Sequence, residues 1–286
     1  MQRVNGSAES LKKNSNILSW GGGMNTFFIH LQPGLKTRKQ LFLCVFDSSF
    51  CKPLSFKRMN NKQIEICCGS IQSALNAKAG GAERIELCQG LVEGGTTPSP
   101  ATIRLAVNEL GLDVFVLVRP RGGDFCYNEL EIKTMEEDVA FCKEVGVSGI
   151  VVGFLHPDGT IDTALTRRFV ELAAPLPVTF HRAFDECTDP LNALEQVIDC
   201  GCARILTSGC QPTAVEGADM LQRLVRQANG RITILAGSGI TPDNALELRE
   251  KTGAPEIHGS CKATRPDGAW ETDSGQVRAL LQRLTL

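Results

Sequence analysis

Short apolar and β-branched runs recur along the chain from Gln63 onward, and segments with helical spacing separate them. Sustained strand–helix alternation is typical of parallel strands joined by crossover helices. About 225 residues for eight units fits a single TIM-like (β/α)8 barrel over residues 62–286. A doubly wound open sheet is the alternative, because the pattern of one sequence does not show closure. The predicted strands are Ile64–Cys68, Arg84–Cys88, Val114–Val118, Gly149–Phe154, Val178–His181, Ala203–Thr207, Ile232–Ala236 and Glu256–Ser260.

Three of the predicted helices carry clear start and stop signals. The segments Ser99–Gly111, Asp189–Gly201 and Thr241–Gly253 each begin with a capping residue followed by proline and end at glycine. Each contains an apolar stripe at helical spacing. We also predict a last helix over Gly275–Leu284, after a polar connection over Thr264–Ser274.

Residues 1–61 differ from the rest of the chain in charge and in pattern. They hold nine Lys and Arg against two Asp and Glu, a balance of +7, whereas residues 62–286 carry −9. No period of 3.6 or 2 is sustained there, so we predict a poorly ordered basic leader. It is an organelle transit peptide, a basic tail that contacts acidic surfaces, or, the interpretation we favour, translated sequence upstream of a start near Met59.

Composition excludes several classes of protein. No apolar run approaches the length that spans a bilayer, which excludes an integral membrane protein. The net charge of −2 argues against a general nucleic-acid binder. The twelve cysteines are about 4% of the chain, fewer than a disulfide scaffold has, and they lie mostly inside apolar runs. We therefore predict reduced thiols in a cytoplasmic protein.

The first two predicted strands repeat one pattern of polar residues. Ile64-Glu65-Ile66-Cys67 recurs twenty-one residues later as Ile85-Glu86-Leu87-Cys88. Side chains alternate between the two faces of a strand. If the aliphatic residues face the helices, the residues that point into the barrel are Glu65, Cys67, Arg84, Glu86 and Cys88. Inward charges at strand ends usually belong to a site; in the alternative, Arg84 only cancels the charge of two buried glutamates.

The two inward thiols have three interpretations. Adjacent strands lie about 4.8 Å apart, so Cys67 and Cys88 in register would hold their sulfurs at about that separation. This spacing suits a soft ion such as Cu(I), for which thiolates are preferred ligands. It also permits a disulfide, and both residues would equally serve as small buried hydrophobes. Zinc is disfavoured because the chain has no C-x-x-C pair.

The loops after the strands carry a second set of candidates. Arginine can bind a carboxylate or a phosphate through two parallel hydrogen bonds. A glycine-rich turn after the seventh strand is where barrels commonly hold a phosphate. Histidine and carboxylates move protons. The predicted ligand-binding residues are Arg84, Glu86, Arg119, Arg121, Arg182, Gly237, Gly239 and His258, and the candidate proton-moving residues are Glu65, His181 and Asp185.

Residues 63–286 resemble the CutC family, often called copper homeostasis proteins. The motifs that carry the resemblance are Ile64-Glu65-Ile66-Cys67, Arg84-Ile85-Glu86-Leu87-Cys88, Glu93-Gly94-Gly95-Thr96-Thr97-Pro98-Ser99, Arg119-Pro120-Arg121-Gly122-Gly123-Asp124-Phe125, Thr179-Phe180-His181-Arg182-Ala183-Phe184-Asp185 and Thr207-Ser208-Gly209. The chain departs from the family at Gly237-Ser238-Gly239, where the family has three glycines.

The resemblance implies a TIM-like barrel in a cytoplasmic, homo-oligomeric protein associated with copper tolerance. It also implies that Cu(I) binds at Cys67 and Cys88. Two hypotheses follow. The first is a copper-homeostasis protein that binds Cu(I) through these thiols. The second is a TIM-barrel enzyme, an isomerase, lyase or hydrolase, acting on a small anionic, carbohydrate-like metabolite, phosphorylated or not.

Overall fold

The computed structural model describes residues 63–285 and the backbone of two strands in the leader, β1 (Ile17–Gly21) and β2 (Thr26–His30). The chain divides into a first unit that ends at Ser55 and a second that begins at Phe56. Within the first unit, β1 and β2 pair as an antiparallel hairpin that the sequence pattern did not predict. Most of the leader, Met59 included, lies outside the described residues, so its predicted lack of order and its three interpretations stay predictions.

Eight parallel strands close into a barrel within the described part of the second unit. The last strand pairs with both the seventh and the first, which confirms the (β/α)8 barrel and excludes the open sheet. Each strand lies within two residues of its predicted bounds. The strands are β3 (Ile64–Cys68), β4 (Arg84–Leu87), β5 (Asp113–Leu117), β6 (Gly149–Val152), β7 (Val178–Phe180), β8 (Arg204–Thr207), β9 (Thr233–Ala236) and β10 (Glu256–Gly259).

Helices surround the barrel and cover its outer face. Two of them have the predicted caps: the Ser99 side chain accepts a hydrogen bond from the Thr102 amide, and that of Asp189 accepts one from the Asn192 amide. In the described residues the helices are α1 (Ile71–Gly80), α2 (Pro100–Leu110), α3 (Glu129–Val145), α4 (Thr163–Ala173), α5 (Pro190–Asp199), α6 (Ala218–Ala228), α7 (Ala245–Thr252) and α8 (Ser274–Thr285).

Near the end of the barrel, one predicted helix start was wrong, and the predicted polar connection contains strands that were not predicted. Helix α7 begins at Ala245 rather than after Thr241, because the Asn244 side chain binds the Thr241 amide and the Gly239 carbonyl and holds a turn there. The connection after β10 is not an irregular polar loop. It forms an antiparallel hairpin of β11 (Lys262–Thr264) and β12 (Trp270–Thr272).

The apolar core is divided by the barrel wall. The larger part lies between strands and helices, where Ile64, Ile66 and Cys68 of β3 are completely buried. A smaller cluster that includes Phe115 fills part of the barrel interior. Gly149 is required beside that ring, since a Cβ there would lie 2.1 Å from Cε1 of Phe115. The alternation along β3 and β4 therefore turns the polar residues inward, as predicted.

No helix of the described residues combines the length and the apolar character that a bilayer crossing requires.

Candidate functional site

Two thiols face each other at the carboxyl ends of the first two barrel strands. The Sγ atoms of Cys67 and Cys88 are 3.7 Å apart, well beyond the roughly 2.05 Å of a disulfide bond, so both are free. The strands do not hold them in register as predicted. Cys67 lies opposite Glu86, and Cys88 follows β4 with its amide bonded to the Cys68 carbonyl. The thiols therefore meet diagonally across the two strands. Their sulfurs, 3.7 Å apart, are closer than the roughly 4.8 Å between adjacent strands.

A carboxylate joins the two thiols. The sulfurs of Cys67 and Cys88 and a carboxylate oxygen of Glu86 all lie within 4.8 Å of one another, close enough to hold one metal ion. The hydrogen bond to Cys88 and burial raise the pKa of the Cys67 thiol well above its ordinary value. Burial also raises the pKa of the Glu86 carboxyl. Cys67 and Glu86 therefore hold their protons more tightly than exposed groups of the same kind do.

A buried ion pair lies below the thiols. Glu65 is 1% exposed, and its Oε1 lies 2.9 Å from Nδ1 of His258, which the register places directly opposite. Burial raises the pKa of Glu65, but the hydrogen bond from His258 and the charge of Arg84 outweigh it and lower the pKa overall. Burial lowers the pKa of His258, but Cys67, Glu65 and Glu86 together raise it well above its ordinary value. His258 thus holds its second proton more tightly than a free imidazole does, and its Nε2 lies 3.7 Å from Glu86.

Arg84 points toward the opposite end of the barrel. Its Nε lies 3.1 Å from Glu65 and its Nη2 lies 2.6 Å from Glu256. Arg204 binds the same Glu256 oxygen at 3.0 Å. Both guanidinium groups lie against the ring of Phe115. Arg84 therefore belongs to a buried ion-pair network, and its acidic partners are Glu65 and Glu256 rather than Glu65 and Glu86.

His181 has one ring nitrogen engaged and one without a partner. Its Nδ1 accepts a hydrogen bond of 3.1 Å from the Ala183 amide, while Nε2 is buried and unpaired among the described residues. Burial and then the charge of Arg119 lower the pKa of His181 to about 3. The ring is therefore neutral at physiological pH, with its proton on Nε2. It packs against Phe125, with the ring centroids 5.0 Å apart.

Arg119 and Arg121 are both engaged by nearby loops. Arg119 is 5% exposed, and it donates to the carbonyls of Glu93, Gly95 and Gly123 while lying over the Phe125 ring. Arg121 is turned away from the barrel axis, where it pairs with Asp124 and Glu131. The structure places Arg119 at the site and Arg121 outside it.

Asp185 and Arg182 form one unit after β7. The Asp185 carboxylate accepts hydrogen bonds from the hydroxyls of Thr207 and Ser208, the amides of Ser208 and Cys210, and Nε of Arg182. Five donors leave it little capacity to take a substrate proton. Asp185 therefore positions Arg182, whose side chain is 44% exposed and borders the barrel mouth.

Two of the cavities at the carboxyl end of the barrel are lined by Cys67. The inner one, of about 140 Å³, lies between the thiols and His181. The outer one, of about 430 Å³, is bordered by Gly239 and by Lys262. Cys67, Arg182 and His258 line both. The cavities therefore join the thiols, the two histidines and the glycine-rich turn in one region.

The turn after β9 is shaped by close packing. A Cβ at Gly237 would lie 2.6 Å from Cδ1 of Leu206 and 3.2 Å from Cβ of His258. Ser238 and Gly239 have φ values of +82° and +70°. The hydroxyl of Ser238, the position at which the chain departs from the CutC pattern, donates to the Pro212 carbonyl.

Sequence reasoning missed several residues around the site. Glu256 was not selected, although it lies two residues before His258 and therefore on the same face of β10. Phe125 was quoted only as part of a motif, and its ring forms a wall of the inner cavity. Lys262 begins β11, and no pattern in the sequence distinguished it from an ordinary surface lysine.

An eight-stranded parallel barrel with buried thiols, carboxylates and histidines at the carboxyl ends of its strands defines a TIM-barrel protein with a site where such barrels carry their function. The profile of the CutC family matches residues 62–263. The chain belongs to the CutC family.

Named relatives agree with this assignment. The chain is 47% identical over 209 residues to the copper homeostasis protein cutC homolog of Homo sapiens, covering 73% of this chain and 77% of that one. It is 51% identical over 201 residues to a family protein CutC of Parabacteroides distasonis, covering 70% and 83%.

Solved structures are similar as well. A crystal structure of the copper homeostasis protein CutC from Streptococcus agalactiae has a TM-score of 0.66 at 34% identity, covering 69% of this chain and 97% of that one. Thiamine phosphate pyrophosphorylase from Pyrococcus furiosus has a TM-score of 0.52 at 18% identity, covering 79% and 96%. The second likeness shows the barrel fold alone.

Proposed function

We propose that this chain is a cytoplasmic copper-homeostasis protein that binds Cu(I) through Cys67 and Cys88. The observation that carries the proposal is the pair of free thiols 3.7 Å apart at the barrel mouth. Thiolates are the ligands that Cu(I) prefers, whereas a carboxylate is a harder ligand. Glu86 therefore contributes polarity beside the ion, and the two sulfurs provide the affinity. Relatives named copper homeostasis proteins support this assignment.

The charge around the thiols supports the binding of a thiolate complex. Cu(I) with two thiolates carries one net negative charge, which is costly to bury without a nearby cation. His258 interacts with Cys67 and carries a positive charge through its pairing with Glu65. His181 does not compete as a ligand, because its Nδ1 lone pair is used by the Ala183 amide.

Competition for Cu(I) tests this proposal. We expect the wild-type protein to withdraw Cu(I) from a chromogenic chelator under anaerobic conditions, and the Cys67→Ser/Cys88→Ser variant to lose this ability. A Cys187→Ser/Cys210→Ser variant is the matched control, since these neighbouring thiols lie outside the barrel interior. Retention of one tightly held Cu(I) by the first variant would contradict the proposal.

The cellular context is proposed on separate grounds. Each cysteine in the described residues is free, which suits a reducing compartment. The balance of −9 over residues 62–286 disfavours nucleic acid as a partner.

A homo-oligomer follows from the family resemblance. Light scattering on the purified protein measures the oligomeric state, and a monomer at micromolar concentration would contradict this part.

A second candidate function is supported by the cavities. An isomerase, lyase or hydrolase acting on a small anionic metabolite would place its substrate between His181 and the turn after β9. The unpaired buried nitrogen of His181 is the observation that favours it. Of the proton-moving groups, Glu65 and Asp185 are held by other side chains, so Glu86 beside His258 is the pair that faces the cavity.

The second function is tested by conversion. The Cys67→Ser/Cys88→Ser variant is incubated with defined hydroxy acids and sugar phosphates, and products are followed by NMR. Turnover that survives the loss of both thiols supports an enzyme. If no member of the set is converted by the variant or by the wild type, this second function is withdrawn.

A further inference from the structure

The imidazole of His181 is held in one tautomer by the backbone. The Ala183 amide donates to Nδ1 at 3.1 Å, so this nitrogen must present its lone pair. In a neutral ring the proton then resides on Nε2. The side chain is a hydrogen-bond donor and has no free basic nitrogen to offer a substrate.

The ring is also fixed in orientation. A Cβ at Gly153 would lie 2.4 Å from Nδ1 of His181, so glycine there allows the ring to pack directly on the backbone of the neighbouring strand. Phe125 covers the ring on another side. The donor therefore points in a fixed direction before any ligand arrives, which reduces the entropic cost of binding.

The donor borders the inner cavity and has no partner among the described residues. His181 is 5% exposed and lines the inner cavity, and no atom in the described part of the chain accepts a hydrogen bond from Nε2. Buried donors are almost always satisfied in native proteins. The cavity of about 140 Å³ is larger than one water molecule needs. It has room for the head group of a small ligand.

The charge of the surroundings determines what kind of head group fits. Arg182 borders both cavities and is oriented by Asp185 and Ser208. Arg119 also lines the inner cavity from a buried position. An oxygen that carries negative charge is the group that two guanidinium groups and an N–H donor recognise together.

We infer that the inner cavity binds one oxyanion group, a carboxylate or a phosphate, of a small ligand, with His181 Nε2–H as a fixed donor and Arg182 as the counter-charge. The outer cavity takes the remainder of the molecule. This inference goes beyond Cu(I) binding and rests on the second candidate function, whose ligand contacts it names. It assigns His181 to binding rather than to proton abstraction.

Direct observation of the imidazole tests the donor. In ¹⁵N-labelled protein, we expect the His181 ring to show a protonated Nε2 and an unprotonated Nδ1 at pH 7. Glycerol 3-phosphate and glycerate are the probes, and uncharged glycerol is the control. At least one anion is expected to shift the Nε2 resonance while glycerol does not. A protonated Nδ1, or no response to either anion, would overturn the inference.

Two substitutions separate the donor from the shape of the ring. His181→Phe keeps a ring and removes the N–H, and we expect it to weaken anion binding by about tenfold or more. His181→Gln keeps a donor at similar reach and should stay within about threefold of the wild type. Circular dichroism checks that both variants are folded. Equal affinity for His181→Phe and the wild type would overturn the assignment.

The thiol variant separates this inference from the proposed functions. Cys67→Ser/Cys88→Ser should lose Cu(I) and still bind the anion that the wild type binds. Anion binding without turnover removes only the enzyme hypothesis. If the wild-type protein binds no Cu(I), only the copper proposal is removed. Neither of these two results depends on the His181 donor.

Discussion

The two ends of the barrel interior are both charged, yet they differ in how the charges are used. At the amino-terminal end, Arg84 and Arg204 share Glu256, and both lie against Phe115. At the carboxyl end, two free thiols lie 3.7 Å apart, and Nε2 of His181 has no partner among the described residues. Buried charge alone therefore does not identify a site. What distinguishes the carboxyl end is the pair of free thiols beside a neutral imidazole.

The largest expected effect breaks the network at the amino-terminal end. Glu256→Gln removes the carboxylate that the buried Arg84 and the half-buried Arg204 share. We expect a loss of about 3 kcal/mol in the free energy of unfolding, because Arg204 loses its carboxylate and Arg84 keeps only Glu65. Urea denaturation measures it, and Cu(I) binding should persist in the folded fraction. The exposed pair of Glu195 and Arg231 is the matched control, for which Glu195→Gln should change stability little.

The next effect acts at the carboxyl end. Gly153→Ala places a methyl group against the His181 ring and should destabilise the protein by about 1–3 kcal/mol through overpacking. It should also displace the donor and weaken anion binding. Thermal unfolding and titration with glycerol 3-phosphate measure the two effects. An unchanged affinity would show that the ring position does not control the cavity.

A third effect is the dependence of stability on pH. The pKa of His181 is lowered to about 3 in the folded protein, so the unfolded chain binds a proton that the folded chain does not. This contribution is complete above about pH 6.5 and is lost as the pH falls toward 3. Between pH 7 and pH 5, the wild type should lose about 2 kcal/mol more than His181→Gln. Parallel urea titrations at the two pH values measure this difference, and parallel losses would contradict a neutral buried ring.

The smallest effect sharpens the boundary of the site. Arg121 is held by Asp124 and Glu131 away from both cavities. Arg121→Gln should therefore leave Cu(I) and anion binding unchanged and alter the free energy of unfolding by about 1 kcal/mol or less. Arg182→Gln is its counterpart at the mouth and should weaken anion binding. If the two variants behave alike, the loop arginines are not separated as the structure places them.

The fold was predictable because its signals are local. Alternation along β3 and β4 placed Glu65 and Cys67 on the inner face, and caps with glycine stops located α2 and α5. The hairpin of β11 and β12 was missed, although Asp267-Gly268 between two short runs is a turn signal. That turn signal is a single dipeptide, whereas the strand–helix pattern of the barrel recurs eight times.

The site was predictable only in part, and the reason is also physical. The strands have a fixed period, so the faces of their residues follow from the sequence. The loops have none, and nothing in their order indicates that Asp185 would be occupied by five donors or that Arg121 would turn outward. The diagonal meeting of Cys67 and Cys88 depends on the stagger between strands, which a sequence does not display.

Arg119 affects which amino-acid substitutions the loops at the carboxyl end of the barrel tolerate. Its guanidinium holds the main-chain oxygens of Glu93, Gly95 and Gly123. Main-chain oxygens are the same in every amino acid. Many side chains on these two loops can therefore be replaced while the hydrogen bonds from Arg119 and the backbone path of the loops stay the same. Side chains at the rim of the barrel can thus be substituted, and a new ligand preference can be introduced there without a change in the barrel itself.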